Sequence, residues 1–220
     1  MMPKNNLLSK DAGSDVFITE LNTLKDKTVK VSLSDGSSFN VGSETAESYS
    51  LKPGKILTYD VEEILYDSNL KQAKSTALNM LSFSNRTRAM LKERLLKKYT
   101  EEIADTVLDE FESSGLINDR EYAYSFALTC IRSKFWGDSR VFRELKLRGV
   151  SEEDAEYAVS LASEDGFSET QRLEMLFEKK CRSIDSEKDR KRVFDALIRL
   201  GYRFGDIKNI LNIINEEMDE

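Results

Sequence analysis

The sequence predicts a mainly α-helical protein in which tandem three-helix repeats form an elongated curved array, preceded by a small N-terminal β-rich (α+β) domain. Three observations predict it. The phrase RVFRELKLRGV, beginning at Arg140, returns as RVFDALIRLGY at Arg192, and a period of this size marks a supersecondary unit stacked in series. Both prolines, Pro3 and Pro53, fall early, and beyond them the punctuation is left to Gly115, Gly137, Gly149, Gly166, Gly201 and Gly205, as suits helices joined by short turns. Ahead of that region, VFITEL and KTVKVSLSDGSSFNV alternate apolar and polar residues, the pattern of half-buried strands.

Residues 1–68 form the expected β-rich domain. Asp35-Gly36 is a hairpin signal between two strand-like runs. SETAESYSL then reads as a short helix, KPGK as a turn, and YDVEEILYDSN as a helix leading onward. With 7 lysines against 11 acids this segment is acidic, and nothing in it looks catalytic.

From Lys71 the pattern is helical to the end, with nine helices expected in three repeats over 69–117, 118–166 and 167–220. Asn118 with Glu121 and Ser168 with Gln171 resemble capping boxes, and Ser151 with Asp154 and Ser186 with Asp189 are weaker versions. Thr100 is placed to cap EEIADTVLDEF, and Asp138 to cap the helix after Phe135-Trp136. Arg140, Val141, Phe142, Leu145 and Gly149 recur 52 residues later as Arg192, Val193, Phe194, Leu197 and Gly201. The same spacing relates Ile103, Ala155 and Ile207, and Val107, Val159 and Leu211. Val141, Phe142 and Leu145 form the core stripe, and Gly149 and Gly201 sit at helix ends, where a left-handed residue is easiest for glycine. The first repeat has KKYTEE at this point, without the glycine.

Net charge is −7, so attraction to nucleic acid has to come from a local patch. The chain has no histidine, which removes the commonest general base and transition-metal ligand. Cys130 and Cys181 are too far apart in sequence for a zinc pair and read as small buried residues in a reducing compartment. The N-terminus has no apolar signal region and no stretch reaches membrane-spanning length, so a soluble cytoplasmic protein is expected, with no membrane contact.

Charge repeats with the helices. The second helix of each repeat is basic: RTRAMLKERLLKK has six Lys or Arg and one acid, and 132–148 and 188–203 have six against two. The third is acidic: EEIADTVLDEFE has six acids and no base. Acids in a first turn and bases in a last turn complement the helix dipole. That accounts for Glu101, Glu102, Glu152 and Glu153, but not for Arg140, Arg143, Lys188 or Arg192 near helix starts. Arg140 and Arg143 face away from the apolar stripe at helical spacing. The candidate partner- or DNA-binding residues are therefore Arg86, Arg88, Lys92, Arg140, Arg143, Lys146, Lys188, Arg192 and Arg199. From the residues alone, an interaction surface and a merely solvated face stand level.

Two aromatic groups carry competing readings. Phe135-Trp136 reads as a base-stacking tip or, preferably, as a cover over the helix start near Phe142. Tyr122, Tyr124 and Phe126 read as core packing rather than as a platform. The consecutive acids of EEIAD and SEED diverge around their helix axes and do not converge as a two-metal site requires.

GLINDREYAYSFA (115–127) followed by RSKFWGDSRVFRELKLRGV (132–150) resembles the RecX family of recombinase regulators, which shows a glycine, an apolar residue and an acidic turn before a tyrosine-alanine helix, then an arginine, a glycine and a spaced apolar-leucine-glycine helix. SNRTRAMLKERLLKK (84–98) is similar to that family's first basic helix, although its usual glycine is missing near Tyr99. The resemblance is strongest over 76–160. It implies a monomer without catalytic centre, metal or cofactor that binds the RecA recombinase and its single-stranded DNA filament and inhibits ATP hydrolysis and strand exchange. The other reading is a self-sufficient nucleic-acid-binding helical module that acts without RecA.

Overall fold

In a computed structural model of the chain, residues 16–181 and 187–210 are described. The chain divides into two compact units, one carrying the sheet, the chain up to Thr76 and Glu101–Ile103, the other the rest of the helical repeats.

The first unit is built on an antiparallel sheet of order β1-β2-β3, with β1 Ile18–Thr23, β2 Thr28–Leu33 and β3 Ser38–Gly42. Alternation sets the register: Val29 and Val31 of β2 lie opposite Val41 and Phe39 of β3, and Val29, Val31, Leu33 and Val41 are buried. The β2–β3 turn carries Asp35-Gly36 as expected. Gly36 has φ +85°, and the Asp35 carboxylate accepts from the backbone N–H and the hydroxyl of Ser37. These bonds hold its carboxyl below the usual aspartate value. Helix α1 (Ser43–Ser48) and the start of α2 (Val61–Phe83) close the core through Ala46 and Ile64. The turn after Pro53 does more than reverse the chain. Ile18 N–H donates to Lys55 O, Gly54 N–H to Ile18 O and Leu57 N–H to Val16 O, which pins the segment to β1. Helix α2 runs unbroken past residue 68, and the division between units falls inside it, after Thr76.

In the second unit, α3 (Arg88–Leu95) and α4 (Glu101–Ser113) follow α2, then α5 (Asp119–Lys134), α6 (Asp138–Leu147) and α7 (Glu152–Asp165), then α8 (Glu169–Cys181) and α9 (Glu187–Leu200), with 204–210 again helical. Three predicted caps form. Asn118 accepts from Glu121 N–H and Ser151 from Asp154 N–H, and Ser168 and Gln171 make a full reciprocal box. Ser186, the side chain of Cys181, and Leu211 lie outside what is described. Asp138 is not the cap of α6. Gly137 holds that position, and Asp138 is the first helical residue. Its carboxylate is taken by Arg172, which is fully buried and needs a counter-charge, while its N–H donates to Glu169 Oε1 at 2.9 Å.

The second repeat shows how each core is made. Ala123, Ala127, Cys130 and Ile131 of α5 meet Ala155, Ala158, Val159 and Ala162 of α7, with Val141 and Leu145 of α6 completing the cluster. Alanines on facing positions let α5 and α7 approach closely, so among the described residues they are the most extensively packed helix pair. Burying Leu145 alone contributes about 1.5–3 kcal/mol. Cys130 is one of these buried residues, and burial pushes its thiol above the ordinary value.

The turns between second and third helices come in two forms. After α6 and α9, Gly149 (φ +80°) and Gly201 (φ +98°) adopt left-handed backbone, and Val150 N–H and Tyr202 N–H bond back to Leu145 O and Leu197 O, a Schellman ending. After α3 the chain stays right-handed: Lys98 and Tyr99 N–H both return to Leu95 O, and buried Tyr99 stands where Val150 and Tyr202 stand in the other repeats. Core residues on either side of it are two positions closer, Leu95 to Ile103 against Leu145 to Ala155. The 52-residue period therefore holds from Ile103 to Ala155, whereas Leu95 and Leu145 are 50 apart.

Candidate partner-binding surface

Successive repeats are joined at the ends of their middle helices. At the first joint, the hydroxyl of Thr87, N-cap of α3, donates to Arg148 O, and a Cβ on Gly149 would overlap that of Ala89. At the second, Gly137 N–H, at the N-cap of α6, donates to Leu200 O at 2.8 Å. There a Cβ on Gly201 would overlap that of Arg140, and one on Gly137 would lie 2.6 Å from the Gly201 carbonyl. Both joints thus use the equivalent carbonyl, Arg148 O in one and Leu200 O in the other. The second adds a charged group: the Arg140 guanidinium donates to Arg199 O at 2.9 Å.

These joints decide where the predicted cations go. In the first repeat they turn inward onto the acidic helix. Arg88 reaches Asp109 and Glu112 at 2.7 Å and Asp105 at 3.5 Å, and Lys92 reaches Asp105 at 2.9 Å. Burial works against the Arg88 charge, but the bond to Asp109 and the nearby Glu112 and Asp105 outweigh it and raise the guanidinium pKa further. Arg88 and Lys92 are therefore paired with acids of α4. Arg86, just before the Thr87 cap, is half-buried, and its Nε is buried without a hydrogen-bond partner.

In the second repeat Arg148 pairs with Glu144, while Arg140 and Lys134 lie against an aromatic ring. Arg140 lies with Cζ 4.0 Å from the Trp136 ring centroid, and Lys134 Nζ lies 4.5 Å from the same ring. Trp136 meets Phe126 edge-on at 6.4 Å, Phe126 stacks on Tyr122 at 6.1 Å, and Arg148 Cζ sits 4.3 Å over Phe126. Each such cation–ring contact is worth roughly 0.5–2 kcal/mol. The result is a ladder of half-buried aromatics, Tyr122, Phe126 and Trp136, carrying Arg148, Arg140 and Lys134, with Arg143 and Lys146 exposed on α6. Glu144 is the acid among them; its bond to Arg148 at 2.6 Å holds its carboxyl below the usual glutamate value.

In the third repeat Lys188, Arg192 and Arg199 are exposed, with Arg192 3.3 Å from Asp189. The structure brings Arg140 and Arg199 together at the second joint and sets Arg88 and Lys92 against α4.

Sequence reasoning missed Lys134 and Arg148 and preferred a covering role for Trp136 over a base-stacking tip. Their convergence depends on Phe135, which ends α5 with φ +52°. Left-handed backbone at a bulky residue has no signature in the sequence. Tyr122 and Phe126 pack against the core as expected, and Tyr124 donates from its hydroxyl to Asp165 at 2.8 Å.

Chemically, the strip offers guanidinium and ammonium donors held by rings and a helix end, suited to oxyanions. Among the described residues, no group of three His, Cys, Asp or Glu is placed to hold a metal ion, and no helix is long and apolar enough to cross a membrane.

Comparison with known proteins fits this architecture. The family description "RecX, first three-helix domain" matches residues 73–111, and "RecX, second three-helix domain" matches 118–159. The Regulatory protein RecX of Streptomyces coelicolor is 31% identical over 153 residues, covering 69% of this chain and 80% of the relative. The chain belongs to the RecX family. The RecX protein of Bacillus subtilis is 28% identical, covering 93% of this chain and 79% of its own length, and that of Clostridioides difficile is 27% identical, covering 89% and 94%. A crystal structure of regulatory protein RecX shares the fold at TM-score 0.60 and 21% identity, over 88% of this chain and 99% of that one. RecX from Lactobacillus salivarius does so at 0.58 and 23%, over 67% and 97%.

Proposed function

We propose that this RecX-family protein is a cytoplasmic monomer that binds the RecA recombinase and its single-stranded DNA filament and inhibits ATP hydrolysis and strand exchange, without a catalytic centre or cofactor of its own. Family membership supports a regulatory role, since the relatives are named regulatory proteins. The observation that carries the binding mode is the cation–aromatic strip of the second repeat. Arg140 and Lys134 are ordered on Trp136, so part of the entropy cost of fixing long side chains at an interface is already met. Arg143 and Lys146 add exposed charge beside them, and Arg199 and Arg192 extend it onto α9. Contacts spread over several repeats gain from avidity, and those to phosphate weaken with salt as counterions return.

The test is a titration of this protein into RecA-catalysed strand exchange and DNA-dependent ATP hydrolysis, beside binding to bare and RecA-coated single-stranded DNA. Inhibition with preference for the coated strand supports the reading. Equal binding to the bare strand, with RecA turnover unchanged, would move the protein to the self-sufficient nucleic-acid-binding class.

A further inference from the structure

The geometry points to a releasable latch between the second and third repeats: Arg140 holds the end of α9 until an oxyanion takes its guanidinium. This rests on reading the strip as the partner-binding surface and adds a mechanical consequence to it.

Besides the backbone bond from Gly137 N–H to Leu200 O at 2.8 Å, two side-chain attachments hold the third repeat to the second. One is buried. Arg172 of α8, fully enclosed, pairs with Asp138 and donates to Phe167 O at 2.7 Å, while Asp138 N–H donates to Glu169, and Tyr202 donates from its hydroxyl to Phe135 O at 2.9 Å. An incoming ligand cannot reach this pivot without opening the core. The other is at the surface. Half-exposed Arg140 gives one N–H to the neutral carbonyl of Arg199 and sits over the Trp136 ring, Cζ 4.0 Å from its centroid. A charge-assisted bond to phosphate or carboxylate is roughly twice as strong as one between neutral groups. Arg143 and Lys134, exposed beside it, draw such anions in. Capture of the guanidinium leaves Arg199 O to water and the last turn of α9 held at this surface by the single bond from Gly137 N–H to Leu200 O. The backbone approach at Gly137 and Gly201 leaves no side chain there to take over the contact.

The first joint is the internal control. Its polar link is the Thr87 hydroxyl, itself fully buried and occupied by Arg148 O and Met90 N–H. It presents nothing for an anion to capture, so oxyanion binding loosens one joint and not the other.

The experiment follows amide hydrogen exchange in the full chain by NMR, with an oligothymidylate or poly-glutamate added and the fluorescence of Trp136, the only tryptophan, monitoring binding. The two probes separate a nucleic-acid phosphate from a protein carboxylate as the captured group. The expected result is roughly ten-fold faster exchange at Gly137, Gly201 and Tyr202 with at least one probe, and no change at Gly149 and Val150. Arg140→Gln shows the faster exchange without any probe and responds no further; Arg140→Lys, which keeps the charge, serves if that variant fails to fold. Absence of binding by either probe, binding with silent amides at the second joint, or equal acceleration at both joints would overturn the latch. Inhibition of RecA by the same preparation separates the two ideas: intact inhibition with a silent joint rejects the latch alone, and absent inhibition with a responsive joint rejects the functional reading alone.

Discussion

The hydroxyl of Thr87 donates to the carbonyl oxygen of Arg148 at 2.6 Å, across 61 residues of sequence. The Thr87 hydroxyl oxygen in turn accepts from Met90 N–H, so one buried side chain caps α3 and fastens the first repeat to the second. Thr87→Val keeps the shape and removes both bonds. It is expected to cost about 1–3 kcal/mol, read as a lower urea midpoint, whereas Thr87→Ser retains most of the stability. A valine variant as stable as the parent would show that the joint does not depend on this hydroxyl.

Gly149→Ala tests the close approach at the same joint. The alanine must adopt φ +80° and its Cβ must displace that of Ala89, for an expected loss of roughly 2–4 kcal/mol. Gly115 has φ +74° but open space around it, so Gly115→Ala should lose only about 1 kcal/mol. Adding Ala89→Gly to Gly149→Ala should recover part of the loss, and a double-mutant cycle with strictly additive effects would contradict the contact.

The Glu169 side chain gives a pH signature. Burial pushes its carboxyl above the ordinary glutamate value, so the folded protein holds this proton more tightly than the unfolded chain does. Stability from this group is lowest at neutral pH and rises as pH falls through the carboxylate range. Glu169→Gln keeps an oxygen for Asp138 N–H and removes the half-buried charge. The variant's stability relative to the parent should be most favourable near neutral pH and should decline on acidification, as seen in urea midpoints across that range. A difference that grows in acid would reverse the sign and rule out a half-buried, reluctantly charged carboxylate.

Much of this architecture was legible because it follows from periodicity. Alternation at Val29, Val31 and Leu33 gave the sheet, Asp35-Gly36 its turn, and the recurrence of Arg140 to Gly149 at Arg192 to Gly201 gave the repeat. The capping pairs at Asn118, Ser151 and Ser168 are local rules that tertiary packing left alone. What could not be read depends on long-range partners. Asp138 resembles a cap, but buried Arg172 claims it. Arg88 and Lys92 resemble Arg140 and Arg143 as basic residues on a middle helix, yet the acids at Asp105, Asp109 and Glu112 reach only the former pair. The strip itself needs the left-handed Phe135 to bring Lys134, Trp136 and Arg140 together, and no local pattern announces that conformation.

The central claim is that the second repeat, and not the acid-paired first, presents the working cations. The most direct measurement is inhibition of RecA's DNA-dependent ATP hydrolysis by Lys134→Glu/Arg143→Glu compared with Arg88→Gln/Lys92→Gln, both confirmed as folded by circular dichroism. The account predicts that the first pair needs roughly ten-fold or more protein for equal inhibition, the loss of two charge contacts at about 1 kcal/mol or more each, while the second pair inhibits like the parent. Undiminished inhibition by Lys134→Glu/Arg143→Glu, with inhibition lost in Arg88→Gln/Lys92→Gln, would contradict it.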